Sequence, residues 1–95
     1  MKKRYYLYIM TNLQNSILYT GVTKNLRRRV LIHKNKMIDD FATRFNLNKL
    51  VYYEIYADAF QAIYRQKQVK IGPREYKVHL IEKKNPKWND LYYRI

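Results

Sequence analysis

Two short apolar segments joined by a polar link constrain the fold of this chain most strongly. Residues 5–10 are rich in aromatic and aliphatic side chains, and residues 17–22 repeat that character. Residues 11–16 between them are mostly Thr, Asn, Gln and Ser, which favour turns and loops. Two short strands with a link of this length are best read as an antiparallel hairpin. The sequence therefore predicts two neighbouring strands near its beginning.

A helix is expected directly after the hairpin. The side-chain oxygen of Thr23 or Asn25 can accept an N–H of its first turn, and the apolar spacing continues to about Lys34. Residues 35–48 mix charged and amide side chains around two phenylalanines. This mixture predicts a partly ordered loop after the helix.

The second half of the chain predicts a strand and two helices. Residues 49–55 carry apolar side chains on both faces, which is typical of a central strand. Asp58 is a plausible N-cap for a helix over residues 59–70, which Gly72-Pro73 ends before another helix runs to about Lys84. The order β-β-α-β-α-α is that of an α/β (α+β) chain.

Charge is the first indication of function. The formal net charge is +13, and the first acidic residue is Asp39. Such a field concentrates the protein near polyanions, and counterion release then supplies free energy for binding nucleic acid. The alternative is a solvated basic surface that only keeps the protein soluble. The residues expected to contact nucleic acid are Lys24, Arg27, Arg28, Lys34, Lys67 and Lys70.

Length and composition set further limits. A chain of 95 residues without repeats or linkers predicts a single domain over residues 1–95. It contains no cysteine, which excludes disulfides and thiolate metal sites. No apolar stretch approaches the roughly 18–20 residues of a membrane span, and the basic start Lys2, Lys3 and Arg4 is not followed by a long enough apolar segment for a signal peptide. We expect a cytoplasmic protein that does not bind membranes, and we favour a monomer.

Five residues that could form a functional site lie in a small part of the sequence. The hairpin can bring Tyr8 and Tyr19 together, and Gly21 marks a point where a side chain would crowd an approaching group. Arg29 and His33 are four residues apart and so share a helix face. Each has an ordinary alternative, since tyrosines usually pack, arginine runs are usually solvated and a lone histidine is usually structural. Their joint spacing is what favours a site.

The same residues carry a resemblance to a known family. Tyr6-Leu7-Tyr8 and, after ten further residues, Tyr19-Thr20-Gly21 resemble the two elements that name the GIY-YIG nuclease superfamily, although neither tripeptide is intact. The similarity extends over nearly the whole chain. The chain resembles the small standalone bacterial members, which are related to the nuclease domain of an excision-repair subunit and to homing endonucleases. The other stretches that carry it are residues 22–33, Phe41-Ala42-Thr43, residues 50–54 and Asn85-Pro86-Lys87-Trp88.

The resemblance implies a three-stranded antiparallel sheet flanked by helices and a one-metal phosphodiesterase that acts on DNA with Mg²⁺ or Mn²⁺. By matching position, Tyr19 would position or deprotonate the attacking water and Tyr8 would assist. Arg29 would stabilise negative charge on the phosphate. His33 would contact the phosphate or help to move a proton.

One position departs from the family. Gln66 stands where the family has its metal-binding glutamate, in a helix face that points toward the packed side. An amide oxygen without formal charge is a much weaker ligand for Mg²⁺, so metal binding is expected to be weak or absent. The change is either natural divergence or a deliberate isosteric replacement, or else the metal is held differently by Glu54, Asp58 or Glu75. We therefore expect a DNA-acting, Mg²⁺-dependent endonuclease that Gln66 impairs. The alternatives are a non-catalytic nucleic-acid-binding module and a protein-interaction subunit.

Overall fold

The computed structural model describes residues 3–95, so that Met1 and Lys2, the latter part of the basic start, lie outside the described residues. Its α+β fold consists of a three-stranded antiparallel sheet with four α-helices, which confirms the predicted class. In chain order the elements are β1 Tyr5–Thr11, β2 Leu18–Thr23, α1 Leu26–Lys34, α2 Phe41–Arg44, β3 Lys49–Tyr56, α3 Ala59–Ile71, α4 Arg74–Lys84 and a 3-10 turn, Leu91–Arg94.

The sheet has the order β2-β1-β3, with β1 antiparallel to both neighbours. The predicted hairpin is therefore present. The prediction that the third strand is central is wrong, because β3 is an edge strand and β1 lies in the middle. Apolar residues on both faces of β3 reflect the helices that cover both faces of the sheet, and they do not reveal how many strands lie beside it.

Alternation along β1 divides the protein into two packed layers. Leu7 and Ile9 belong to a core cluster that α3 and α4 complete, whereas Tyr8 and Met10 belong to a cluster completed by α1 and α2. Successive side chains of a strand point to opposite faces, so one strand supplies both clusters. All four side chains are at most 2% exposed.

The segment expected to be a loop contains the short helix α2. The Asp40 carboxylate accepts the Thr43 N–H at 2.9 Å and caps this helix. After it, the Leu47 N–H donates to the Ala42 carbonyl at 2.7 Å, and both side chains are buried. The prediction failed because two buried side chains five residues apart are too few to give a helical pattern.

The longer helices begin and end close to the predicted positions. Asn25 accepts the Arg28 N–H at the start of α1, and Asp58 accepts the Phe60 N–H at the start of α3. Pro73 is the N-cap residue of α4. Within residues 3–95 no helix has the length and apolar character needed to cross a membrane.

The central position of β1 predicts a sharp difference between two leucines. Leu7→Ala removes a side chain with no exposed surface, whereas Leu13→Ala in the hairpin loop removes one that is 78% exposed. We expect Leu7→Ala to lower the free energy of unfolding by about 2–5 kcal/mol and Leu13→Ala by less than about 0.5 kcal/mol. Urea unfolding followed by circular dichroism measures both, and similar losses would contradict the assignment of β1 to the core.

Candidate active site

The register of the hairpin places Tyr8 directly opposite Gly21. A Cβ atom built on Gly21 would lie 2.7 Å from both Cζ and Oη of Tyr8, closer than side chains tolerate. The group that approaches the backbone here is thus the Tyr8 ring itself. Glycine is required for this contact and not for an unusual backbone angle, since no glycine has positive φ within residues 3–95.

Three rings from three elements meet above this contact. Tyr8 of β1, Tyr19 of β2 and His33 of α1 have centroids 6.1–6.2 Å apart in every pair. His33 is only 2% exposed, and its Nε2 lies 3.4 Å from the Tyr8 hydroxyl. We call these three residues the ring cluster. They are three of the four residues expected to be catalytic.

Arg29, the fourth, lies between the ring cluster and an open cleft. Its charge is close enough to lower the pKa of both Tyr8 and His33, although burial is the largest effect on each. Arg29 also lines a cavity of about 530 Å³ beside β2, between α1 and α3. The lining includes Lys24, Arg28 and Arg29, and no carboxylate lies among the described residues there.

Four other cations expected to bind nucleic acid lie on two helices, α1 and α3. Arg28 lines the same cleft as Arg29, because the cleft opens at the first turn of α1. Arg27 lines a neighbouring cavity that shares Lys24 with the cleft. On α3, Lys67 and Lys70 are exposed.

Lys34, which was also expected to contact nucleic acid, has partners within the chain. Its ammonium forms a partly buried ion pair with Asp90 and lies 5.3 Å and 5.2 Å from the ring centroids of Tyr92 and Tyr93. Asp90 also accepts the Leu50 N–H at 3.2 Å. Lys34 thus connects α1 to the C-terminal turn, and its charge is directed at a carboxylate of the same chain.

Burial sets the protonation of two members of the ring cluster, Tyr8 and His33. Removal of Tyr8 from water raises its pKa well above the usual range, so its phenol stays protonated and can donate a hydrogen bond. Burial lowers the pKa of His33, which Arg29 lowers further and Asp40 opposes. At neutral pH His33 is therefore neutral, and its Nε2 can accept from Tyr8.

Asp40 is a neighbour of the site that sequence reasoning missed. Its Oδ2 lies 3.8 Å from Nδ1 of His33, a buried nitrogen without a hydrogen-bond partner. This distance is too long for a hydrogen bond but favours the tautomer with the proton on Nδ1, facing the carboxylate. The available signal was an Asp three residues before Thr43, which is the spacing of an N-cap.

Comparison with known proteins identifies the family. The sequence profile of the GIY-YIG catalytic domain matches residues 4–89. The chain belongs to the GIY-YIG family. A nuclease-type domain with a nucleic-acid substrate is the general function associated with it.

Named relatives of this GIY-YIG chain are small proteins of similar length. It is 33% identical over 82 residues to a UPF0213 protein of Clostridium perfringens, covering 86% of this chain and 87% of that one. It is 30% identical over 81 residues to a UPF0213 protein of Staphylococcus haemolyticus, covering 85% and 98%. The solution NMR structure of a UPF0213 protein from Bacillus halodurans shares the fold, with a TM-score of 0.58, 23% identity and 92% of each chain covered.

GIY-YIG nucleases generally use a divalent metal ion, and the donors in the part of the chain that the structure describes do not fit one. Within residues 3–95 no three His, Cys, Asp or Glu side chains are grouped so that they could hold a metal. Gln66 is half-buried on α3, between the fully buried Ala62 and Val69, and offers one neutral amide oxygen. The helix face around Gln66 is packed less completely than expected, because Ile63 on that face is 43% exposed.

The three carboxylates considered as substitutes for the family's glutamate have other positions or partners. Glu54 accepts hydrogen bonds from Arg65 and two tyrosine hydroxyls, and these donors lower its pKa against the opposing effect of burial. Asp58 caps α3. Glu75 is exposed in the first turn of α4. A conventional carboxylate-bound metal is therefore not supported by this donor set.

Burial of His33 predicts a specific dependence of stability on pH. Its pKa in the folded protein lies below 6.5, so the unfolded chain binds a proton more readily at mildly acidic pH. The stability due to neutral His33 is present above pH 6.5 and is lost as the pH falls toward the folded pKa. Urea unfolding between about pH 7.5 and 5.5 should show this decline, and His33→Gln should reduce it.

His79 provides the control because it is exposed on α4. We expect His79→Gln to leave the decline of unfolding free energy with pH unchanged. An equal decline in the wild type and in His33→Gln would show that other groups are responsible.

Proposed function

We propose that this GIY-YIG domain acts on DNA, binding the phosphodiester backbone in the cleft beside β2 as a monomer. The observation that supports this most directly is the cleft itself, whose lining carries Lys24, Arg28 and Arg29. Three cations at one cavity, in a chain of net charge +13, favour a polyanionic ligand. Contacts to the backbone would fix position without reading the base sequence.

The ring cluster suggests how a phosphodiester would be received. In our proposal the Arg29 guanidinium pairs with the phosphate oxygens, a geometry for which its fork of N–H donors is suited. Tyr8 stays protonated, donates to His33 and keeps that ring neutral and fixed. Tyr19 is only half-buried, and its hydroxyl is then the one in the cluster available to orient a water molecule or a phosphate oxygen.

Hydrolysis by this arrangement should be impaired. The positively charged cleft can compensate charge on the phosphate. The missing carboxylate at Gln66 removes the ligand that the family resemblance assigns to the metal. Efficient Mg²⁺-dependent cleavage is therefore not expected from the wild-type sequence. A binding module without hydrolysis is the second candidate, favoured by the donor set described above.

DNA binding should depend strongly on salt. The logarithm of affinity should fall linearly with the logarithm of salt concentration, with a slope of about −0.9 for each phosphate neutralised. Arg28→Ala, which removes a cation of the cleft, should make the slope shallower by about one unit. Fluorescence anisotropy with a labelled duplex at several salt concentrations measures the slope.

Lys83→Ala is the matched control, because it removes one exposed positive charge from α4 on the other face of the sheet. It should change affinity and slope less than Arg28→Ala does. Equal effects would mean that the bulk charge of the protein binds DNA and that the cleft has no special part. An affinity independent of salt concentration would contradict the proposal.

Gln66→Glu should create or greatly enhance metal-dependent nicking. The two side chains are nearly isosteric, and the glutamate adds a full charge that a bound cation would offset. The expected gain is about 100-fold or more, since metal ions stabilise transition-state charge by several kcal/mol. Supercoiled plasmid incubated with Mg²⁺, Mn²⁺ or a chelator provides the assay.

Gln68→Glu is the control for this experiment, because it makes the same change at an exposed position of α3. It should remain as inactive as the wild type. If the wild type already nicks plasmid in a chelator-sensitive way, the metal is held elsewhere and our interpretation of Gln66 is wrong. If Gln66→Glu binds DNA but stays inert, the binding module becomes the better description.

A further inference from the structure

An aromatic row leads from the ring cluster into solvent. Tyr19 belongs to the ring cluster, and its ring stacks on Phe41 with centroids 6.3 Å apart and an interplanar angle of 26°. Phe41 in turn contacts Phe45 of the same segment, with centroids 4.7 Å apart. We call Tyr19, Phe41 and Phe45 the aromatic row. Its inner end packs against Tyr8 and His33 of the ring cluster, and its outer end lies at the surface.

The two phenylalanines do not serve the core. Phe41 is 48% exposed and Phe45 is 47% exposed, and neither belongs to a core cluster. The core contacts of this segment are made by Ala42 and Leu47, which are at most 1% exposed. Two large rings that remain half in water beside a site need a different explanation, because exposed aromatic surface is commonly used for binding.

The position of the rings is fixed by local structure. Asp40 caps α2 through the Thr43 N–H, and the Phe45 N–H donates to the Phe41 carbonyl at 3.1 Å. Asp40 also faces His33 of the ring cluster at 3.8 Å. The aromatic row is thereby held at the site by the same residue that lies next to the buried histidine. Rings held in advance lose little conformational entropy when a flat ligand stacks on them.

The arginine next to the row is already paired. Arg44 pairs with Asp39 through hydrogen bonds of 2.9 Å and 3.2 Å, so its guanidinium is already engaged. The excess cations lie instead in the cleft, at Lys24, Arg28 and Arg29. This separation suits a nucleotide strand, which needs cations along its phosphates and apolar faces against its bases.

We propose that the aromatic row stacks unpaired bases, so that the protein selects single-stranded or branched DNA over a closed duplex. This inference rests on the proposed function, because the strand that places a phosphate at Arg29 is the one whose bases reach the rings. In a duplex those bases are paired and stacked with one another and cannot lie against Phe41 or Phe45. Stacking on aromatic faces also tolerates any base, in agreement with binding that does not read sequence.

The test compares a single-stranded oligonucleotide with a duplex of the same length by fluorescence anisotropy. The wild type should bind the single strand more tightly. The double variant Phe41→Leu/Phe45→Leu keeps apolar volume but removes the rings, and it should lose about tenfold or more of its single-strand affinity. Its duplex affinity should change by less than about twofold.

Phe60→Leu is the matched control, since Phe60 is 82% exposed on α3 and lies outside the aromatic row. It should bind both substrates like the wild type. Circular dichroism of the double variant shows whether it folds. If it does not fold, the single variant Phe45→Leu at the outer end of the row replaces it and should show a smaller loss of single-strand affinity.

The outcomes separate this inference from the function on which it rests. If the wild type binds neither DNA, the proposed function itself fails. If it binds both equally, or if the double variant loses duplex and single-strand affinity alike, only the stacking role is overturned. If sedimentation shows a wild-type dimer that the double variant abolishes, the rings form an interface between copies and the inference is wrong.

Discussion

Burial of β1 on both faces is the constraint on which the rest of the protein depends. Leu7 and Ile9 on one face and Met10 on the other have no exposed surface, and full burial of such side chains contributes about 1.5–3 kcal/mol each. A chain this small has few other places to bury so much apolar surface. The helices must therefore cover both faces of this strand. One of them, α1, brings Arg29 and His33 next to the core that the strand forms.

The candidate site is consequently a polar extension of the core with a charged opening. The buried rings of Tyr8 and His33 have protonation states set mainly by loss of water. The cations around the cleft stay in contact with solvent, where they can attract a polyanion. The buried interior is neutral and the rim of the cleft is positively charged. Arg29 connects them, because it lines the cleft and its charge acts on the buried Tyr8 and His33.

Local signals in the sequence predicted much of the fold, and distant partners account for the errors. The hairpin and the caps Asn25 and Asp58 depend on residues a few positions apart, so they could be predicted. The identity of the central strand could not be predicted, because strand order depends on contacts across the whole chain. The ion pair of Lys34 could not be predicted for the same reason, since its partner Asp90 lies 56 residues further on. The position of the catalytic candidates came from spacing and family resemblance together.

The contact between the Tyr8 ring and Gly21 has a consequence for the dynamics of the site. Tyr8 is paired with Gly21 on one side and with Tyr53 on the other, in the middle of the hydrogen-bonded ladder. Because its backbone lies in this ladder and its ring is buried, the phenol is held in place while the surrounding strands and helices stay packed. Amide hydrogens around it should exchange with solvent only through global opening of the molecule. The ring cluster would then persist as long as the protein is folded, and a ligand would meet an interior site already in its final geometry.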